Sequence, residues 1–289
     1  MCTLIFFHRC RRDWPLLVAA NRDERLDRPA APPRVTGRSP RIWAGVDRES
    51  GGTWIGVNDR GLVAGVTNTA RGQRPPAARS RGQLVADLLG ESDLSAAVAR
   101  LEAAAVSDYL PCRILIADRH RAFLGTLGGR VEIQPLPPGC HVLTNAAPGE
   151  PEEPRRAEVV RLLGVEGPPE GKSIDQLKQI LARHAPVPER SVCLHRPAFG
   201  TRSASILAIG GTRGPLYLHA EGPPCRSAWS DVSPARGDIR VAPQRAIATK
   251  AASPRTAANP SARTSRPRLR AAARRRRPRP SSRARRAHP

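Results

Sequence analysis

Apolar residues fall in short runs along the first quarter of the chain. TLIFF (3–7) and LLVAAN (16–21) are each a strand's length, separated by the charged turn RCRRDW and Pro15. The second run passes directly into Arg22-Asp23-Glu24. The proline-rich stretch RPAAPPRVTGRSP (28–40) reads as a loop ordered only by packing. GGTWIGVNDRGLVAGVTN predicts a hairpin: 53–57 and 62–66 flank Asn58-Asp59-Arg60-Gly61, with glycine where a positive φ is needed.

The apolar period then lengthens. Ser80 and Gln83 form a capping box ahead of LVADLL, and a second helix is expected over 94–105. CRILIAD, AFLGTL, VEIQPL and HVLTN read as strands. Two more helices follow at 153–163 and 173–184, the latter with a capping box in Ser173 and Gln176, and SVCL, SASILAIG and LYLHAE close the series as strands. Blocks of strands separated by pairs of helices do not alternate as βαβ units do. The pattern predicts an α+β fold of antiparallel sheets with helices on their outer faces.

Charge divides the chain. Of its 48 basic residues, 17 lie at 236–289, against a single acid, Asp238. Residues 1–222 read as one domain, and 223–289 as an Arg/Pro/Ala-rich tail with too few large apolar side chains to build a core, hence disordered. A run such as Arg274–Arg277 suits non-specific binding of nucleic acid, polyphosphate or an anionic membrane, but aromatics to stack on bases are missing there. No apolar stretch approaches the ~18–20 residues of a transmembrane span, and the first apolar run lacks the h-region of a signal peptide, so the expectation is cytoplasmic. The six cysteines (2, 10, 112, 140, 193, 225) show no metal-ligand spacing and read as free thiols. Cys193 and His195 share one face of an expected strand and offer two donors. At that spacing a packed pair is the ordinary reading, and neither a metal nor an organic cofactor is expected.

Cys2 changes the picture. Removal of Met1 would leave one residue carrying both a thiol and an α-amine of ordinary pKa about 7.7–8.0, a nucleophile with a base built in. Such a site needs a carboxylate to orient the amine and donors for an oxyanion. Asp23 ends the strand expected to pair with that of Cys2. Asn68, the backbone of Thr69, and Asn145 stand where apolar strands stop, and Arg202 opens a strand in position to hold a carboxylate. Taken singly, each has an ordinary explanation as a turn or surface residue.

Together these stretches resemble the NRDE family, named for its Asn-Arg-Asp-Glu motif (here Asn21, Arg22, Asp23, Glu24) and also called the Transport and Golgi organisation protein 2 family. The resemblance rests on MCTLIFFHRC…PLLVAANRDERLDRPAAPP, WAGVDRESGGTWIGVNDRGLVAGVTN, SRGQLVADLL, GCHVLTNA and SVCLHRPAFGTRSASIL, in order over about residues 1–210. That family is similar to the N-terminal-nucleophile hydrolases, which implies a four-layer αββα sandwich. By comparison with the choloylglycine hydrolase and penicillin V acylase group, Cys2 would be nucleophile and base, Asp23 would hold the amine, Asn68 and Asn145 would meet the oxyanion, and Arg202 would match a late arginine. Ala20 stands where those acylases keep an arginine, with Arg22 one residue before Asp23. FGTR and CRIL replace the family's usual YGTR and FNLL, and APGEPEEPRR stands where a Trp-Pro pair is usual.

The resemblance implies a hydrolase of an amide or related acyl bond in a small amphipathic substrate. Family members have also been linked to lipid metabolism, Golgi organisation and haem movement, so the alternative is a non-catalytic carrier of haem or an acyl-lipid in the same pocket. A nucleic-acid-associated role through the tail is the third reading.

Overall fold

Alternation within two neighbouring strands sets the architecture. Strand β1 (Thr3–His8) is buried throughout and β2 (Leu16–Arg25) along most of its length. Leu4, Phe6, Leu16, Val18 and Ala20 meet Trp43, Ile55, Val57, Val63 and Leu115 of a second sheet. Their neighbours Ile5, Phe7, Leu17 and Ala19 meet Val159, Leu163, Leu177 and Leu181, which belong to helices. A strand apolar on both faces has to be covered on both faces, and that requirement produces layers.

The computed structural model describes residues 2–69, 78–145, 154–164 and 169–240. One sheet has the order β10-β1-β2-β11-β12-β13, with β10 at Gly139–Leu143, β11 at Phe199–Ile209, β12 at Leu216–Ala220 and β13 at Trp229–Asp231. The second runs β3-β4-β5-β6-β7-β8-β9: Ala30–Thr36, Ile42–Asp47, Ile55–Asn58, Val63–Asn68, Cys112–Ala117, Ala122–Leu127 and Val131–Pro135. Every ladder is antiparallel. Helices α1 (Arg81–Leu89) and α2 (Leu94–Glu102) cover the outer face of the second sheet through Leu84, Leu88, Leu94 and Leu101. Helices α3 (Pro154–Gly164) and α4 (Ile174–Leu181) cover the first. The result is the αββα sandwich that the resemblance implies.

Both capping boxes form as the sequence indicates. The Ser80 hydroxyl accepts from the Gly82 N–H at 3.1 Å and Gln83 Oε1 from the Ser80 N–H at 3.4 Å, while Ser173 and Gln176 pair in the same reciprocal way at 3.1 and 2.9 Å. The hairpin turns on Gly61 at φ +78°, and Asn58 Oδ1 accepts from the backbone of Arg60 and Leu62.

Three expectations are corrected. The proline-rich segment contains a strand, β3, because it lies at the sheet edge and its ladder shifts register between Ala31 and Arg34, where Pro32 and Pro33 need donate nothing. SVCL is not a strand: the N–H groups of Val192 and Cys193 both turn to the Arg183 carbonyl, each at 3.0 Å. The expected boundary at residue 222 also moves. Residues 223–240 join the body, since β13 extends the first sheet, Val232 and Ile239 pack on the inter-sheet core, and Asp238 pairs with Arg41 at 3.1 Å. The rest of the expected tail, including Arg274–Arg277, lies outside the described residues. No helix among the described residues is long and apolar enough to cross a membrane.

Candidate active site

Cys2 stands one position before β1, whose ladder with β2 begins at Thr3 opposite Asn21. The period of two therefore points Cys2, Arg22 and Glu24 into the space between the sheets, and Asn21 and Asp23 toward α3 and α4. An open pocket with a cavity volume of about 80 Å³ lies there, lined among others by Cys2, Arg22, Trp54, Val66, Asn68 and Arg81.

Asn145, beyond the end of β10, ties the site together. Its Oδ1 accepts the Cys2 N–H and its Nδ2 donates to the Asn68 carbonyl. Each partner allows only one role, so the orientation of the carboxamide is fixed. Asn68 brings the end of β6 into the pocket. The Thr69 N–H, expected as an oxyanion donor, is instead engaged by the Pro111 carbonyl at 3.3 Å.

Asp23 is almost wholly inaccessible. Its Oδ1 accepts from the Thr201 hydroxyl at 2.7 Å and its Oδ2 from Arg155 Nη1 at 2.9 Å. Burial pushes its carboxyl above the usual range, against the pull of Arg155 and the chain's amino terminus. Burial likewise raises the Cys2 thiol; the charged amino terminus and a hydrogen bond from the Asp23 backbone act the other way. The sulfur is therefore held as a thiol, and making it a nucleophile requires a base that acts during attack.

The four motif residues do different work. Asn21 donates to the carbonyls of Leu181 and Val192, at 2.9 and 3.0 Å, and so fastens β2 to the end of α4. Arg22 lays its guanidinium over the Trp54 ring, 4.4 Å from the centroid. Its Nη1 is buried without a hydrogen-bond partner among the described residues, and burial lowers its pKa against the pull of Glu24 and Asp47. Glu24 lies 3.8 Å from Arg28, which also pairs with Asp47 at 2.7 Å. Arg22 follows Ala20 by two residues, so it points into the same inter-sheet space that an arginine at position 20 would enter.

Arg202 does not line the pocket. It sits at the register shift of β11 between Thr201 and Ser203 and pairs with Glu221 at 3.1 Å. Sequence reasoning missed Arg155 and Thr201. A signal for Arg155 was present: it shares its helix face with Val159 and Leu163, so an arginine heads an apolar stripe. Thr201, adjacent to Arg202 in FGTR, was read only as its neighbour.

A family model described as Transport and Golgi organisation 2 matches residues 1–214, and the chain belongs to that family. It is 30% identical over 230 residues to the Transport and Golgi organization protein 2 homolog of Bos taurus, covering 67% of this chain and 82% of that protein. Among solved structures it is similar to a Caenorhabditis elegans N-acylethanolamine-hydrolyzing acid amidase ortholog, with TM-score 0.51 and 12% identity over 72% of this chain and 92% of that one. A single-residue variant of a conjugated bile acid hydrolase from Clostridium perfringens also has TM-score 0.51, at 10% identity, over 85% of this chain and 100% of that one. At such identities the likeness concerns the fold alone: two antiparallel sheets between helices, as in N-terminal-nucleophile hydrolases.

Proposed function

We propose that this member of the family, once Met1 is removed, is an N-terminal cysteine hydrolase. Its substrate would be a small amphipathic molecule with an amide or related acyl bond. The observation that carries the reading is the placement of Cys2: the residue lines the pocket, its nitrogen is held by Asn145, and a buried carboxylate lies on the adjoining strand. Both fold neighbours are named as hydrolases, one of them an amidase.

With Met1 gone, the Cys2 nitrogen is an amine. One of its N–H bonds stays on Asn145 Oδ1, so its lone pair is available to the thiol. As the sulfur bonds to the substrate carbonyl, the thiol proton passes to the amine, and the carbonyl oxygen takes the negative charge beside the Asn68 carboxamide. Collapse breaks the C–N bond, and the ammonium returns the proton to the leaving amine. Water then attacks the thioester, giving one proton to the same amine. The acid is released and the thiol is restored. The Asp23 carboxylate balances the ammonium in both halves of the cycle. Trp54 and Val66 offer the apolar wall, and Arg22 and Arg81 a positive edge, which together suit a substrate with an apolar body and an anionic or strongly polar end.

The commitment of the Thr69 N–H to Pro111 favours a second reading, a carrier that binds an acyl-lipid or haem-like ligand without turnover, since it removes one expected oxyanion donor. N-terminal sequence and intact mass, taken before and after an electrophilic amide-type probe, separate the two. The hydrolase reading expects Cys2 at the free terminus, one acyl mass on that residue, and no label on Cys2→Ser. Retention of Met1 on fully processed protein, or an inert Cys2 at a free terminus, overturns it in favour of the carrier.

A further inference from the structure

Away from the pocket, four donors from three separate segments converge on one point. His184 follows α4, Cys193 and His195 precede β11, and Cys225 lies between β12 and β13; one ligand atom from each lies within 4.8 Å of all the others. The spacings are tighter than that bound. Cys193 Sγ is 3.7 Å from both Cys225 Sγ and His195 Nε2, and His195 Nε2 is 3.2 Å from Cys225 Sγ. The rings of His184 and His195 meet edge to face with centroids 5.1 Å apart.

The three separations among Cys193, His195 and Cys225, 3.2–3.7 Å, are close to those between the donors of a tetrahedral metal site. With Zn–S bonds of about 2.3 Å and Zn–N bonds of about 2.0 Å, tetrahedral angles place neighbouring donors about 3.3–3.8 Å apart. The two sulfurs stand well beyond a disulfide bond of about 2.05 Å. We propose that His184, Cys193, His195 and Cys225 form a structural zinc site, distinct from the Cys2 pocket and standing whether or not that pocket hydrolyses anything. Two thiolates and two neutral imidazoles select a borderline-soft divalent ion, and four protein ligands leave no open position for catalysis. On binding, the two thiols release two protons to solvent, and two Zn–S and two Zn–N bonds form with no change of oxidation state.

The backbone already holds the donors in place. The Arg183 carbonyl, one residue before His184, accepts from both Val192 and Cys193. Cys225 occupies a turn in which Arg226 and Ser227 donate to the Pro223 carbonyl at 3.1 and 3.0 Å. Between the ligands Cys193 and His195, Leu194 exchanges two hydrogen bonds with Thr201, each 2.9 Å, and Thr201 is the residue that supports Asp23. The metal would thus brace the loop behind the Asp23 carboxylate from outside.

The test uses the untagged full chain, reduced and stripped with chelator, then titrated with Zn2+ and separately with Co2+. One equivalent of zinc should bind, and cobalt should give the intense visible bands of a tetrahedral ion with thiolate charge transfer. His184, His195 and Cys225 are exposed, so Cys225→Ser and His184→Ala are expected to keep the wild-type circular dichroism. Each should bind at least about 100-fold more weakly, whereas Cys2→Ser should bind as wild type does. No stoichiometric metal, octahedral cobalt spectra, or affinity unchanged in the two folded variants overturns the proposal. So does a Cys193–Cys225 disulfide in a chain whose reduced form takes no zinc.

Discussion

Replacing Arg155 with methionine keeps the length and apolar stem of the side chain and removes the counter-charge of Asp23. The two groups lie 2.9 Å apart, with side-chain exposures of 1% and 0%. Breaking a buried pair from one side costs about 3–5 kcal/mol, because the remaining charge stays out of water. Coulomb attraction at about 4 Å and an effective dielectric constant of about 20 gives a similar figure, about 4 kcal/mol. Thr201 still donates to the carboxylate, which places the expectation at the lower end of the range.

The loss has a pH signature. Burial already pushes Asp23 up, and without Arg155 it rises further. Above the unfolded value of about 3.9 the folded variant then holds a proton that the unfolded chain has given up, so its stability falls as pH rises through that window. Urea unfolding at about pH 5 and about pH 8 reads this directly: with a slope of about 2–3 kcal/mol/M, the midpoint should drop by about 1–2 M at the higher pH and by less at the lower. Adding Asp23→Asn should recover stability, since the orphaned charge is gone. A cost below about 1 kcal/mol, or one indifferent to pH, would refute the assignment of Arg155 as the partner that keeps this carboxylate buried.

Two further outcomes follow from the geometry. His8 is buried against Phe6 with neither ring nitrogen hydrogen-bonded among the described residues, and burial, helped by Arg9, lowers it to about 4. Because the unfolded histidine takes its proton first as pH falls, stability should drop between about pH 6.5 and pH 4 by up to about 3 kcal/mol, and His8→Phe should flatten that part of the acid-unfolding curve. At Gly52 an added Cβ would overlap the backbone of Gly82 and Gln83, where α1 abuts the pocket. Gly52→Ala should cost about 1–3 kcal/mol, visible by calorimetry as about 2–4 °C per kcal/mol; a variant with wild-type melting would contradict the close packing.

Local chemistry was the legible part of the sequence. The paired capping boxes, the Gly61 turn and the apolar runs of β1, β2 and β7 each follow from a few neighbouring residues, and the structure forms them as read. Proline misled at β3, because nothing local tells an edge strand from a loop. SVCL misled in the opposite direction: an apolar run looks like a strand, but Val192 and Cys193 give their N–H groups to the turn after α4. At the candidate site, Cys2, Asp23 and Asn68 border one pocket and Asn145 bonds to Cys2 and Asn68, each at or near a strand end. The partners of Asp23 were out of reach because Arg155 and Thr201 are 132 and 178 residues away from it. Cys225 was hidden for a related reason: it lies in a segment whose composition resembles the tail that follows it.

Strand β2 is a partition between two compartments, and consecutive letters answer to different ones. Arg22 and Glu24 answer to the pocket they line. Asn21 and Asp23 hold to the helices, through Leu181 and Arg155, although Asp23 also borders the pocket. Inserting or deleting a single residue in the strand would exchange the two sets at once, which makes the segment intolerant of length change. Substitution is another matter. The pair that faces only the pocket can be altered while the pair behind it keeps β2 fastened to the helices, so the lining of the pocket and the integrity of the scaffold are open to selection separately, within four adjacent positions.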